Sequence, residues 1–313
     1  MVRIVTSAYS LGGKKEDLKK ICLENPSWNY EKLLLKTGVQ NRHVLTDIET
    51  PESLSIKAAK NCIDKLEDKN IDGIIYVSQS PSAPLPSRAC ILQEALGITK
   101  NALAFDVNQG CSGFVYALSL ATALIKNKQA NRIIIICSDY YTKYIKKSDR
   151  TCRPIFSDGA AATVVEDSKS GDIGPFIFKT DGSGSHHLKV DKNNIEENLY
   201  MNGPEVLKFS LNLVPEATHE LLKKSSLSVD EIDLFIFHQA SAVVLNKLRK
   251  KLNIPEDKWI NEIKNLGNTV SATIPIALNN LMDENVLKKK KNIVVMGFGV
   301  GLSVAGCIVR NYN

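Results

Sequence analysis

No uncharged apolar run in the 313-residue sequence reaches the roughly 18 residues of a membrane-spanning helix. The first residues, MVRIVTSAYS, read as a strand and lack the apolar core and cleavage site of a signal peptide. The expected compartment is therefore the cytosol, with no membrane partner. No C-x-x-C pair occurs, and the seven cysteines (Cys22, Cys62, Cys90, Cys111, Cys137, Cys152 and Cys307) are odd in number. Both facts argue against a disulfide framework and against a zinc site. Low-complexity segments and long Pro/Gly linkers are missing. So is a concentrated basic stripe: 40 basic and 34 acidic residues leave a net charge of +6. The one lysine run, Lys288 to Lys291, reads as a solvated helix end, where cations suit the negative pole of the helix dipole. Nucleic acid is not an expected partner. The mild positive charge suits anionic partners such as a nucleotide-bearing substrate or an acidic carrier protein.

What is present is a folded chain, 43% hydrophobic and 24% charged. Its length allows one large domain or two of about 150 residues. Runs rich in β-branched residues predict strands at Ile74–Ser78, Arg132–Cys137, Ala161–Val165, Leu234–Phe237, Ile293–Met296 and Val304–Val309. Helical apolar spacing predicts helices at Ser53–Leu66, Cys111–Ile125, Pro204–Lys224, Ala242–Leu252 and Thr273–Leu287. The alternation predicts an α/β fold. The chain also repeats itself. NIDGIIYVSQS and NRIIIICSD in the first half correspond to EIDLFIFHQAS and KNIVVMGFG in the second. Asp72 and Asp233 lie 161 residues apart, Ile133 and Ile293 160 apart. Two strand pairs at nearly one offset predict duplicated halves, 1–166 and 167–313, sharing a core.

Four segments could carry chemistry. In DVNQGCSGFVYALSLATALI, Cys111 follows a strand-like approach and lies in a Gly-Cys-Ser-Gly turn at a helix start. A helix N-terminus stabilises a thiolate, so a lowered thiol pKa is expected there. Taken alone, the segment fits a nucleophile and an inert buried cysteine equally well. His238 ends the apolar run LFIF, which fits a site residue or a satisfied core histidine. Asn268, in NLGNTVSATIPIALNNL, fits a hydrogen-bond donor or a plain helix cap. The glycines of MGFGVGLSVAG allow close backbone approach and exposed N–H groups, or a simple hairpin. Cys, His and Asn together suit a thiol nucleophile assisted by an imidazole and an amide. A papain-like protease uses the same types, but its cysteine context and N-terminal placement are missing here.

All four segments, in this order and spacing, resemble the thiolase-fold condensing enzymes, and β-ketoacyl-acyl-carrier-protein synthase III in particular. The similarity extends to TGVQNRHV (Thr37–Val44), PLPSRACILQEALGI (Pro84–Ile98), SDGAAATVV (Ser157–Val165) and MNGPEVLKF (Met201–Phe209). The resemblance implies a thiolase-like α/β fold, five-layered αβαβα, with Cys111 in the first half and His238 and Asn268 in the second. It implies a homodimer and an acyltransferase of fatty acid biosynthesis. Acyl-CoA would acylate Cys111, and decarboxylative Claisen condensation with malonyl-ACP would give a 3-oxoacyl-ACP. His238 and Asn268 would hold the malonyl thioester oxygen, and the backbone N–H groups of Cys111 and Val300 would form the oxyanion hole. No metal or redox cofactor is implied, CoA entering as a substrate.

By position, the resemblance also implies that Lys36 and Arg150 bind the CoA nucleotide. Phe156 would line the acyl pocket, and Leu85 would enter the partner subunit's acyl pocket and set chain length. Departures from the family pattern are Asn108-Gln109-Gly110 before the cysteine, Ser241 and Val243 after the His-Gln-Ala, Val300 in place of a turn glycine, and the spacing around Trp28. They motivate a second reading, a cysteine-dependent acyltransferase that delivers the acyl group to an amine, a hydroxyl or a specialised metabolite. Thiolase activity is not expected, since the C-terminal turn lacks the cysteine that thiolases use there.

Overall fold

The computed structural model describes residues 1–192 and 197–311. In chain order the strands are β1 (Val2–Leu11), β2 (Lys14–Asp17), β3 (Asn41–Val44), β4 (Gly73–Val77), β5 (Leu103–Val107), β6 (Arg132–Asp139), β7 (Gly159–Asp167), β8 (Asp172–Thr180), β9 (Leu188–Lys192), β10 (Glu197–Met201), β11 (Leu234–Phe237), β12 (Asn292–Gly299) and β13 (Ser303–Arg310). The α-helices are α1 (Leu18–Leu23), α2 (Tyr30–Thr37), α3 (Pro51–Asp64), α4 (Arg88–Ala95), α5 (Gly113–Lys126), α6 (Gly203–Ser225), α7 (Ala242–Lys251), α8 (Ile263–Leu266) and α9 (Thr273–Asp283).

Two sheets carry the architecture, ordered β1-β7-β6-β4-β5 and β11-β12-β13-β8. In the first, β4 is parallel to β6, and β7 is antiparallel to both β6 and β1. The second repeats this: β11 is parallel to β12, and β13 is antiparallel to β12 and β8. Among the described residues, the place of β5 in the second sheet is taken by one parallel bridge, Phe235–Trp259. The duplicated topology is why one sequence offset relates the two halves.

Strands buried on both faces explain the unbroken apolar runs. Along β6, Ile133 and Ile135 face one cluster and Ile134 and Ile136 another. The inner cluster joins both sheets through α5 and α9, with Phe114, Leu118, Ile274 and Leu278 packed against Ile135 and Val295. α3 and α4 cover the outer face of the first sheet, where Leu54, Ala58 and Leu92 meet Ile74 and Ile134. α6 and α7 cover the second, where Leu221 and Leu248 meet Phe235 and Val294. The result is the five-layered αβαβα order expected.

Local signals set the helix ends. Thr50 and Ser53 form a capping box on either side of Pro51 at the start of α3. α5 begins at Gly113, two residues later than the apolar spacing predicts, so Cys111 stays in the preceding turn. α9 stops at Asp283 rather than Leu287, because Asn285 takes a left-handed conformation (φ 57°) that ends the helix. Lys288 and Lys289 therefore lie in a separate 3-10 turn that leads into β12, not in the last turn of a long helix.

Candidate active site

α5 and α9 both start at the seam between the sheets, and the stretches before them carry Cys111 and Asn268. Cys111 is 5% exposed. Its turn is closed by the Gly113 N–H donating to the Gly110 carbonyl (2.7 Å). Across the seam, the Ser112 and Ser303 hydroxyls pair at 2.8 Å. The end of β12 comes so close that side chains would not fit. A Cβ on Gly299 would lie 2.9 Å from Cys111 Sγ, and one on Gly297 2.8 Å from the Cys111 carbonyl oxygen. These glycines are therefore a hairpin arm and a close approach at once. The backbone N–H groups of Val300 and of Cys111 itself bond toward the sulfur.

The lowered thiol pKa expected at a helix N-terminus is not found. Burial pushes the Cys111 thiol up to about 12, and the Asp139 carboxylate acts in the same direction. The two backbone N–H groups pull the other way without overcoming it. Removing a thiolate from water in this turn costs more than the local N–H groups return.

His238 follows β11 and is 1% exposed. Its main chain is held by the Met296 carbonyl (2.8 Å), and its ring meets Phe298 edge-on at 5.5 Å. Nδ1 lies 2.7 Å from the Thr273 hydroxyl. Nε2 lies 3.4 Å from Asn268 Nδ2. Burial pushes the imidazole down to about 3, against a smaller opposite pull from the Val270 backbone, so the ring is neutral at pH 7. Asn268 is pinned to the first half through main-chain bonds, its N–H to the Ile155 carbonyl and its carbonyl to the Ser157 N–H, both 2.9 Å. Its side-chain oxygen accepts from the Val270 N–H at 2.8 Å, which aims the NH2 group at His238.

Cys111, His238 and Asn268 line one cavity of about 290 Å3. Phe156 lies in its wall, with Ile155, Leu188, Met201, Val206 and Phe298. Lys36, at the exposed C-terminal end of α2, also borders it, as do Ser241 and Val243 at the start of α7. Arg150 and Leu85 do not line this cavity within one chain. Arg150 is exposed and close enough to Cys22 to lower its thiol pKa, against the larger effect of burial. Leu85 is 81% exposed. Among the described residues, no group of three or more His, Cys, Asp or Glu side chains could hold a metal ion. Nor is any helix there long and apolar enough to cross a membrane.

Sequence reasoning missed three groups behind the cavity. Asp139, at the end of β6, accepts from the Gln79 N–H (2.9 Å), the Ser80 hydroxyl (3.1 Å) and the Ser271 hydroxyl (2.5 Å). Burial pushes its carboxyl up to about 6. Tyr141 is buried beside Phe156 and donates to the Gln79 side-chain oxygen at 2.9 Å. Thr273 meets His238 from the first residue of α9. Their partners lie tens of residues away in the chain, so no local pattern marks them.

Comparison with known proteins assigns the arrangement. Residues 105–182 match the 3-oxoacyl-[acyl-carrier-protein (ACP)] synthase III family, and residues 222–311 match its C-terminal family. A β-ketoacyl-[acyl-carrier-protein] synthase III of Clostridium novyi (strain NT) is 34% identical over 308 residues, spanning 94% of this chain and 93% of the relative. One of Listeria monocytogenes serotype 1/2a (strain 10403S) is 34% identical over 298 residues, with 94% and 93% covered. The crystal structure of 3-oxoacyl-[acyl-carrier-protein] synthase III from Aquifex aeolicus VF5 is 30% identical, with a TM-score of 0.93 over 99% of this chain and 100% of that one. An OleA structure from Xanthomonas campestris, 20% identical with a TM-score of 0.86 over 99% and 98%, shares the fold. Sequence identity of a third across 94% of the chain, on the same fold, leaves one assignment: the chain belongs to the 3-oxoacyl-[acyl-carrier-protein] synthase III family, the β-ketoacyl-ACP synthases III of the thiolase fold.

Proposed function

We propose that the protein condenses an acyl group from acyl-CoA with malonyl-ACP to give a 3-oxoacyl-ACP, in fatty acid or related lipid synthesis. Cys111 attacks the acyl-CoA carbonyl, CoA leaves as the thiol, and the acyl group stays on sulfur. The Cys111 and Val300 N–H groups hold the carbonyl oxygen as charge develops on it. Malonyl-ACP then loses CO2. The electron pair left behind forms an enolate whose oxygen takes hydrogen bonds from His238 and Asn268. Its carbon attacks the acyl thioester, and the Cys111 sulfur leaves. Decarboxylation supplies the carbanion, so this chemistry requires neither a metal nor a redox cofactor. The halves 1–166 and 167–313 divide the labour, the first giving the thiol and the second the donors.

The observation that carries the reading is the pairing of His238 Nε2 with Asn268 Nδ2 at 3.4 Å, in the cavity that Cys111 lines. Acyl transfer to an amine or a hydroxyl needs no such pair on an enolate, so it is the weaker reading. We assign Lys36 and Arg150 to the CoA nucleotide, and Phe156 to the acyl chain. Leu85, exposed on its loop, is assigned to the acyl pocket of a second copy in a cytosolic homodimer.

Intact mass spectrometry after exposure to a panel of acyl-CoAs tests the first step. The native protein should gain one acyl group and Cys111→Ala none. Acylation of that variant would remove Cys111 from its role.

A further inference from the structure

We propose that the Asp139 carboxylate is a positioning group for Asn268, holding from the first half the turn that aims the Asn268 amide. The proposal rests on the catalytic reading above and adds a residue to it.

The turn is strained. Val270 is buried and takes a left-handed conformation (φ 56°), which a β-branched residue rarely adopts. Such a conformation persists only where its surroundings over-determine it. On one side, the Val270 N–H donates to the Asn268 side-chain oxygen at 2.8 Å. That bond, with the one from the Asn268 NH2 group to the Ala240 carbonyl (3.3 Å), fixes which way the amide faces. On the other side, Ser271 donates its N–H (3.2 Å) and its hydroxyl (2.5 Å) to Asp139 Oδ2. The amide therefore takes its orientation from a turn that the carboxylate holds.

The two carboxylate oxygens divide between the halves. Oδ1 accepts from the Gln79 N–H (2.9 Å) and the Ser80 hydroxyl (3.1 Å), which follow β4, and Oδ2 accepts from Ser271. Asp139 thus ties the turn before α9 to the end of the first sheet. A side-chain amide offers one acceptor oxygen, so Asp139→Asn leaves one pair of donors facing an NH2 group at almost unchanged volume. The same change removes a negative charge that helps to keep the Cys111 thiol protonated. Loss of Asp139 should therefore move the two half-reactions apart.

The test measures decarboxylation of malonyl-ACP, self-acylation by acyl-CoA and alkylation of Cys111 on the whole protein at pH 8, where Asp139 is ionised. Asp139→Asn should slow decarboxylation about 100-fold, the effect of a misplaced group. Self-acylation should not fall, and Cys111 should be alkylated at least as fast as in the native protein. Ser271→Ala keeps the charge and one of the two Ser271 bonds, and should slow decarboxylation about tenfold with native alkylation. Because Asp139 acts through Asn268, adding Asp139→Asn to Asn268→Ala should slow decarboxylation by less than about threefold further. Multiplied losses in the double variant overturn the proposal. So does native decarboxylation in Asp139→Asn, or an equal fall in self-acylation. If Asp139→Asn does not fold, Ser271→Ala decides: a native rate overturns the proposal, and a loss confined to decarboxylation supports it. Asn268→Ala separates the two levels. If it decarboxylates normally, the catalytic reading falls and this proposal with it. If it is slow while Asp139→Asn is native-like, only the Asp139 assignment falls.

Discussion

The two halves are alike at one end of their sheets and unlike at the other. At the shared end, the Asp72 carboxylate accepts the Asn131 and Arg132 N–H groups, both at 2.8 Å. Asp233 accepts the Lys291 and Asn292 N–H groups at 2.8 and 3.0 Å. Each aspartate also donates its own N–H to the neighbouring strand, at 3.1 and 2.9 Å. At the opposite end the correspondence dissolves. The turn before α5 holds a thiol, while the stretch leading into α9 holds an amide and a hydroxyl. β6 ends in a buried carboxylate, β12 in glycines. The two sheets share the contacts that close their strands and differ in the groups that face the cavity.

Removing the second half's donors should produce the largest effect on this contrast. His238→Ala or Asn268→Ala should slow decarboxylation by about 10²–10³, the worth of a buried oxyanion donor. Self-acylation should be largely kept, and comparable losses in both steps would erase the division between the halves. Gly299→Ala should come next. Its Cβ would press on the Cys111 sulfur, and a displacement of about 1 Å at a reacting atom costs on the order of 100-fold, here in self-acylation. A native rate in that variant would show that the seam yields freely. A smaller change per step is expected on titration. With the Cys111 thiol pushed up to about 12, its thiolate fraction should rise about tenfold per pH unit. Alkylation by iodoacetamide between pH 7 and 9 should climb accordingly, and a plateau below pH 8 would mean that the helix N-terminus outweighs burial. The smallest effects belong to the shared end. Asp72→Ala and Asp233→Ala should each cost about 1–2 kcal/mol in urea unfolding, with activity retained. Clearly unequal losses would break the equivalence of the two clamps.

The α/β alternation and the internal repeat were legible because buried strands write themselves as apolar runs, whereas the five-layered order was implied only by the family resemblance. β11 falls at Leu234–Phe237, as its apolar run predicts. Cys111, His238 and Asn268 stood out as candidates because each sits where an apolar element gives way to a turn, and the fold brings all three to one cavity. β5 was legible only as the strand-like approach to Cys111, since LAFDV is half-exposed at a sheet edge and carries an aspartate. The β2–β3 and β9–β10 pairs went unread, since KKED, NRHV, LKVDK and ENLYM are short and largely polar. Thr273 stood at the predicted start of its helix, but only the fold brings its hydroxyl to a ring 35 positions away. The thiol pKa was misjudged because a helix start is visible in sequence and the depth of its burial is not.

The seam at Gly297 and Gly299 also bears on how an inhibitor of this site could be evaded. On the β12 side of the Cys111 sulfur the wall is peptide: two N–H groups, with glycines where any larger residue would collide. A compound drawing its affinity from those N–H groups would hold on to atoms that every residue except proline supplies. Escape would have to come from the side chains farther out, Phe156, Leu188 and Met201, whose shapes can change while the backbone stays in place.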